Sequence, residues 1–149
     1  MIFVTVGTTS FDQLIKMVDG YFDEDKNTDD IVFQIGSGSY QPKHGEFFTF
    51  RPSIDELINS ADIVITHGGS TVLSLLLLKK KFVAVANTDL ADDHQTKFLK
   101  KINQVIPILW TNNLEDLPGL INECIEGNIE SVDSKNFKSL MQDIMKYIL

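Results

Sequence analysis

A single cysteine, Cys124, occurs in the whole chain, which rules out an internal disulfide and a CxxC metal site. It lies in LINECIEG at helical spacing, and that setting predicts a buried structural thiol. Basic residues are scarce as well: 13 Lys and Arg stand against 21 Asp and Glu, for a formal net charge of −8. Phosphate backbones are bound by clustered cations, so this balance argues against a nucleic-acid partner. The one dense basic run, Lys79-Lys80-Lys81, is read as the C-terminal cap of a helix, where cations oppose the dipole. No apolar run comes near the roughly 20 residues a bilayer span needs. The longest, Val72 to Leu78, is interrupted by Ser74. The opening MIFVTVG has no basic n-region and too short an apolar stretch for a signal peptide. These absences predict a cytoplasmic chain without direct membrane insertion. Internal repeats and low-complexity tracts are missing too.

What is present is ordinary globular material, 149 residues with 43% hydrophobic and 23% charged, enough for one domain. Strand-like runs recur at Ile2–Val6, Ile31–Ile35, Phe47–Phe50, Ile63–Thr66, Phe82–Ala86 and Val105–Leu109. Several are continuous Val/Ile/Phe stretches, the pattern of strands covered on both faces. Helical patterns lie between them. Phe11, Leu14, Ile15 and Val18 share one face, as do Leu73, Leu76 and Leu77, and Phe98, Leu99 and Ile102. Ser53 and Glu56 have the spacing of a capping box. Alternation of this kind predicts βαβ units: a Rossmann-like, doubly wound α/β domain with a mostly parallel sheet of about six strands. From Asn112 the pattern is helical, and residues 112–149 read as a C-terminal helical segment. Its last helix carries an apolar face of Phe137, Leu140, Met141, Ile144, Met145 and Ile148. That face either packs back onto its own sheet or docks on another chain.

In an open parallel sheet ligands bind beyond the carboxyl ends of the strands. Four polar loops fall there: Gly7-Thr8-Thr9-Ser10, Gly36-Ser37-Gly38-Ser39, His67-Gly68-Gly69-Ser70-Thr71 and Asn87–Gln95. Glycines in such loops let backbone amides approach an anion, with help from a helix dipole. An acidic protein can hold a diphosphate in this way without a lysine cluster. The common nucleotide fingerprints are absent. Gly7 stands alone where GxGxxG needs three glycines, Gly36-Ser37-Gly38 is followed by Gln41, and no GxxxxGK[ST] occurs. Ser70 does not lie in GxSxG. His94 and Gln95 sit at the start of a helix behind Asp92 and Asp93, either of which could be a simple N-cap. No HxxxH or DxD marks a metal site. His44, in a Pro/Gly loop, is read as a solvated surface residue.

Four segments, MIFVTVGTTSFDQLI, VFQIGSG, ADIVITHGGS and ANTDLADDHQTKFLKK, resemble the C-terminal, donor-binding domain of family 28 glycosyltransferases over roughly residues 1–110. The chain is most similar to stand-alone forms. These are the small catalytic subunit of the two-part dolichol-diphosphate GlcNAc transferase and its bacterial exopolysaccharide or capsule counterparts. The resemblance implies one half of a GT-B fold, binding a UDP-sugar as donor substrate, with no cofactor and no metal. Gly7, Thr8 and Thr9 would border the cleft between the halves, with Gly36 and Gly38 in the neighbouring loop. His67, Gly68, Gly69, Ser70 and Thr71 would meet the diphosphate, and Asp93, His94 and Gln95 the sugar. His94 is the catalytic candidate on this chain, with the base expected on the partner. That partner would be a membrane-associated, acceptor-binding glycosyltransferase subunit presenting a lipid-linked saccharide, and it would recruit the chain to the cytoplasmic membrane face. Transfer of a hexose or N-acetylhexosamine would invert the anomeric carbon. Two departures stand out. Relatives place an acidic, ribose-binding residue eight positions after the loop histidine, where this chain has Leu75. They have Gly-Lys-Pro before the next strand, where it has Lys80-Lys81-Phe82. Leu75 favours an alternative, a non-catalytic enhancer subunit that stabilises a partner transferase. An unrelated α/β small-molecule binder is a third reading.

Overall fold

The computed structural model describes residues 1–23, 30–90 and 93–127 and, near the C-terminus, 139, 141–144 and 146. The chain runs β1 (Ile2–Thr5), α1 (Asp12–Tyr21), β2 (Ile31–Gln34), β3 (Glu46–Phe48), α2 (Asp55–Ser60) and β4 (Ile63–His67). It continues with α3 (Thr71–Leu77), β5 (Lys81–Val85), α4 (His94–Val105) and β6 (Leu109–Thr111), then a 3-10 turn at Leu114–Asp116 and α5 (Leu117–Glu126). The six strands lie in the order β3-β2-β1-β4-β5-β6, and all five pairings are parallel. This is a Rossmann-like α/β sheet whose order reverses between β1 and β4, the place where such sheets open a crevice for ligands.

The continuous apolar runs have the cause expected of them. Successive side chains of a strand point to opposite faces, so Val4 enters one core and Phe3 the other. On β5 Val83 and Val85 enter the first, and Phe82 and Ala84 the second. Helices α1 and α5 cover the first face through Leu14, Ile15, Val18, Leu117, Ile121 and Cys124. Helices α2, α3 and α4 cover the second through Ile58, Val72, Leu75, Leu76, Leu99 and Ile102. Each such side chain contributes about 1.5–3 kcal/mol by leaving water. Cys124 is buried, and that burial pushes its thiol up to about 11.

Several local expectations are corrected. The last strand is β6 at Leu109–Thr111, not Val105–Leu109, because α4 runs on through Val105. Pro107 then has no N–H to extend a ladder or a helix, and the Asn103 side chain accepts from Ile108 N at 3.0 Å to shape the bend. Ser53 is no N-cap: α2 starts at Asp55 behind Ile54, and Ser53 Oγ accepts only from Asp55 N. On α3 the buried face is Val72, Leu75 and Leu76, whereas Leu77 is exposed. The basic run caps a helix, but that helix is α2. Lys80 Nζ donates to Asn59 O and Ala61 O, both at 2.8 Å. In the C-terminal stretch Met141 and Ile144 are buried in the chain's own second core. Phe137, Leu140, Met145 and Ile148 lie outside the described residues.

Candidate functional site

The loops after β1 and β2 are fastened to each other. Gly7 takes a left-handed φ of +65°, and its N–H donates to Thr5 Oγ1 at 3.1 Å. Gly36 is also left-handed at +59°, and a Cβ there would lie 1.9 Å from Thr9 O. Only glycine lets the two loops approach this closely, and Ser37 N then donates to Thr9 O at 3.2 Å. Beside it Ser39 N donates to the Asp12 carboxylate, whose Oδ1 would lie 2.2 Å from a Cβ on Gly38. Gly36 and Gly38 thus make room for protein atoms. Asp12, which the sequence reading passed over, anchors the second loop from the first turn of α1. Thr8 is exposed, and Thr9 Oγ1 donates back to Val6 O at 2.9 Å.

The glycine pair after β4 is explained by its neighbours. A Cβ on Gly68 would meet Gln95 Cβ at 2.9 Å, and one on Gly69 would meet His67 Cε1 at 2.5 Å. Neither glycine is in a positive-φ conformation, so close approach, not backbone freedom, dictates both. Gln95 Oε1 accepts from Gly68 N at 3.0 Å and from Asn87 N at 2.8 Å. The Gln95 amide nitrogen lies 3.2 Å from His67 Nδ1. Asn87 Nδ2 in turn donates to Ser10 O at 3.3 Å, so the loops after β1, β4 and β5 form one assembly. Burial holds the His67 imidazole below its ordinary pKa.

Between this assembly and α4 lies a cleft of about 400 Å³ lined by Gly68, Gly69, Ser70, Leu73, His94, Gln95, Lys97, Phe98 and Lys101. The structure therefore brings together five of the expected residues: Gly68, Gly69, Ser70, His94 and Gln95. Gly7 and His67 meet beside it, above the reversal point between β1 and β4. Thr71 opens α3, and exposed Asp93 precedes α4 with a left-handed φ of 54° and no side-chain cap. Leu73, Lys97, Phe98 and Lys101 were missed. Their signal was available: positions 94, 97, 98 and 101 share one face of a helix. The gathered groups, backbone amides, one hydroxyl, an imidazole and two ammonium groups over an apolar floor, suit an anionic ligand with a polar head. Among the described residues no three His, Cys, Asp or Glu side chains converge as metal ligands.

Two expected surface features are different in fact. Leu75 is fully buried in the second core, so it faces no ligand; the exposed residue of that turn is Ser74. His44 is not a free surface residue. Its Nδ1 lies 2.8 Å from Asp19 Oδ1 and its Nε2 2.9 Å from Asp23 Oδ1.

A parallel sheet in the 3-2-1-4-5-6 order with a cleft at its carboxyl edge is a doubly wound frame that offers a ligand crevice at its switch point. The chain matches the glycosyltransferase family 28 C-terminal domain over residues 1–148 and belongs to that family. It is 36% identical over 115 residues to the UDP-N-acetylglucosamine transferase subunit ALG13 of Homo sapiens, and 35% over 114 residues to that of Mus musculus. Those alignments cover 69% and 68% of this chain, but it spans only 10% of the length of either relative. In fold it is similar to MurG of Acinetobacter baumannii, with TM-score 0.64, 16% identity, and coverage of 97% of this chain and 49% of that one. The solution structure of ALG13 gives TM-score 0.54 at 17% identity, covering 94% of both chains.

Proposed function

We propose that the chain is the UDP-sugar-binding subunit of a two-chain glycosyltransferase, with UDP-GlcNAc the first donor to test. The carrying observation is the cleft in which Gly69 and Ser70 face His94, Lys97 and Lys101 across the carboxyl edge of the sheet. The match to relatives named as UDP-N-acetylglucosamine transferase subunits supports the choice of donor. The span of about half of a MurG chain supports a missing half. That half, on a membrane-associated partner, would present a polyprenyl-diphosphate-linked saccharide. No helix among the described residues is long and apolar enough to cross a membrane, so the partner would recruit the chain to the cytoplasmic membrane face.

In this reading the diphosphate lies against the Gly69 and Ser70 amides and the α4 lysines, and the sugar lies toward His94. An acceptor hydroxyl oxygen attacks the anomeric carbon from the side opposite the leaving group. The bond from that carbon to the β-phosphate oxygen breaks, UDP departs with the electron pair, and the hydroxyl proton passes to a base on the partner. Configuration inverts, and no metal is called on. Preorganised amides and cations at the departing oxygen would supply the main stabilisation of the transition state.

The enhancer alternative rested on Leu75 as a lost ribose contact. With Leu75 in the core, the exposed residue of that turn is Ser74, which is not acidic either. The departure from the relatives' pattern therefore stands, and donor binding decides between the two readings. The test is calorimetric titration of the chain with UDP, UDP-GlcNAc, UDP-Gal and UDP-GlcA without metal, then the same with the co-expressed partner. Tighter binding of one UDP-sugar than of UDP supports the reading. Absence of binding by both the folded chain and the pair sinks it.

A further inference from the structure

Gln95 sits in the first turn of α4, half-buried, and three protein groups surround its amide. Two backbone N–H groups, from Gly68 and Asn87, converge on one terminal atom at 3.0 and 2.8 Å. An NH2 group accepts from neither, so that atom is the carbonyl oxygen. The amide orientation follows from the network without further assumption. The other terminal atom is then the NH2 nitrogen, 3.2 Å from His67 Nδ1. An amide nitrogen donates only, so Nδ1 must present its lone pair. Burial depresses the basicity of this imidazole, which leaves one ring proton to place, on Nε2. That nitrogen lies beside two glycines: a Cβ on Gly7 would lie 3.4 Å from it and one on Gly69 2.8 Å. Both belong to loops at the point where strand order reverses.

We infer that Gln95 is a positioning residue that fixes the His67 proton on Nε2, holding an N–H donor toward the crevice between the loops after β1 and β4. The backbone supplies the fixed reference. Gly68 and Asn87 pin the oxygen, the oxygen orients the amide, and the amide selects the tautomer. The consequence for ligand binding rests on the proposed donor site. A diphosphate oxygen in that crevice meets a donor, whereas the opposite tautomer would offer it a lone pair.

The test is NMR of the full chain labelled with 15N in histidine, near pH 7.5, where two-bond correlations distinguish the two ring nitrogens. The unaltered protein is expected to show His67 neutral with the proton on Nε2. In Gln95→Glu one carboxylate oxygen keeps the Gly68 and Asn87 contacts while the other accepts from Nδ1, so Nδ1 becomes protonated. A Gln95 that merely braces the loops would not move that signature. Wild-type His67 with its proton on Nδ1 overturns the inference, and so does a folded Gln95→Glu chain with unchanged ring resonances. The wild-type spectrum decides even if the variant does not fold. Adding UDP separates the two readings. A shift of the Nε2 resonance, with affinity about tenfold weaker in Gln95→Glu, supports both. An Nε2–H tautomer, when neither the chain nor the co-expressed pair binds UDP, upholds the tautomer assignment and overturns the donor site.

Discussion

Asp19 Oδ1 lies 2.8 Å from His44 Nδ1, and this contact fastens the loop before β3 to the back of α1. The Asp19 carboxylate also accepts from the Tyr40 hydroxyl at 2.5 Å and from the Lys43 and His44 backbone N–H groups. Burial alone would raise its pKa, but those donors together outweigh it and hold the carboxyl below the usual range. The His44–Asp19 hydrogen bond raises His44 above its ordinary value, with Asp23 adding to the effect, and the separate Tyr40–Asp19 hydrogen bond pushes Tyr40 up to about 12.

The signs give a window of pH. The raised His44 contributes stability that is complete below its unfolded pKa of about 6.5 and fades as pH rises through its higher folded value. The depressed Asp19 contributes above its unfolded pKa of about 3.9 and fades as pH falls through its lower folded value. Urea midpoints measured from pH 3 to 9 should therefore peak between about pH 4.5 and 6 for this contact. His44→Gln should remove the decline on the alkaline side. An unchanged alkaline slope in that variant would show that the contact does not form in solution.

Lys79 is a misfit of residue and backbone at a helix end. It sits at φ 53° after α3, with Lys79 N donating to Leu76 O and Lys80 N to Leu75 O. This is the Schellman pattern, in which glycine is the favoured left-handed residue. A glycine at Lys79 would take this conformation without strain. Lys79→Gly should stabilise the chain by about 1 kcal/mol, raising Tm by roughly 2–4 °C, whereas Lys79→Ala should not. Equal effects of the two changes in calorimetry would refute the backbone explanation.

Gly69→Ala places a methyl within 2.5–2.8 Å of the His67 ring, and the ring must turn away from Gln95 to accommodate it. The chain should still fold, since the displaced group is a side chain at the rim, but donor affinity should fall by about tenfold or more, as a one-ångström misplacement at a site does. Gly36→Ala meets the Thr9 carbonyl and a positive φ together, and a loss of 3 kcal/mol or more, roughly, is expected in urea unfolding. Comparing circular dichroism and UDP titration for both variants separates the two kinds of glycine.

How much of this could be seen in the sequence depended on what each signal encodes. The Val/Ile/Phe runs marked the doubly covered strands, since burial on two faces leaves no other composition open. The loop segments 7–10, 36–39, 67–71 and 87–95 were found because a parallel sheet delivers its loops to one edge. What each glycine does there was not legible. A glycine that makes room for a neighbour, such as Gly68 against Gln95, is indistinguishable by letter from one that exposes an amide to a ligand. The ribose position was placed at Leu75, which the fold buries; one residue turns a helix by about 100°, so the neighbouring position, Ser74, is the exposed one. Asp19 and His44 are 25 residues apart, and no local pattern pairs them.

Met141 and Ile144 are 4% and 3% exposed and pack in the core beneath α2, α3 and α4. Their burial makes the C-terminal stretch part of the chain's own fold at these two positions. Met141→Ala and Ile144→Ala should each lower unfolding free energy by about 2–4 kcal/mol, without any partner present. Deleting residues 134–149 should destabilise the isolated chain before partner binding is asked about at all. If both alanine variants unfold at the wild-type urea midpoint, the stretch is a docking element instead.

Lys97 and Lys101 offer the closest test of the cleft itself. Both line it from one face of α4, opposite Gly69 and Ser70, in a protein whose net charge is −8. A chain so acidic repels a nucleoside diphosphate at long range, so local cations must reverse the field at the site. Exposed charges of this kind contribute modestly, and Lys97→Gln or Lys101→Gln should each weaken UDP binding by roughly two- to fivefold. The double variant should also flatten the dependence of affinity on salt, because screened lysine contacts are what salt weakens. Lys97→Gln should leave stability unchanged within error. Uridine, which lacks the phosphates, should bind wild type and double variant alike. If uridine and UDP lose affinity equally in the double variant, the lysines act on the shape of the cleft and not on the anion, and the diphosphate must lie elsewhere along the sheet edge.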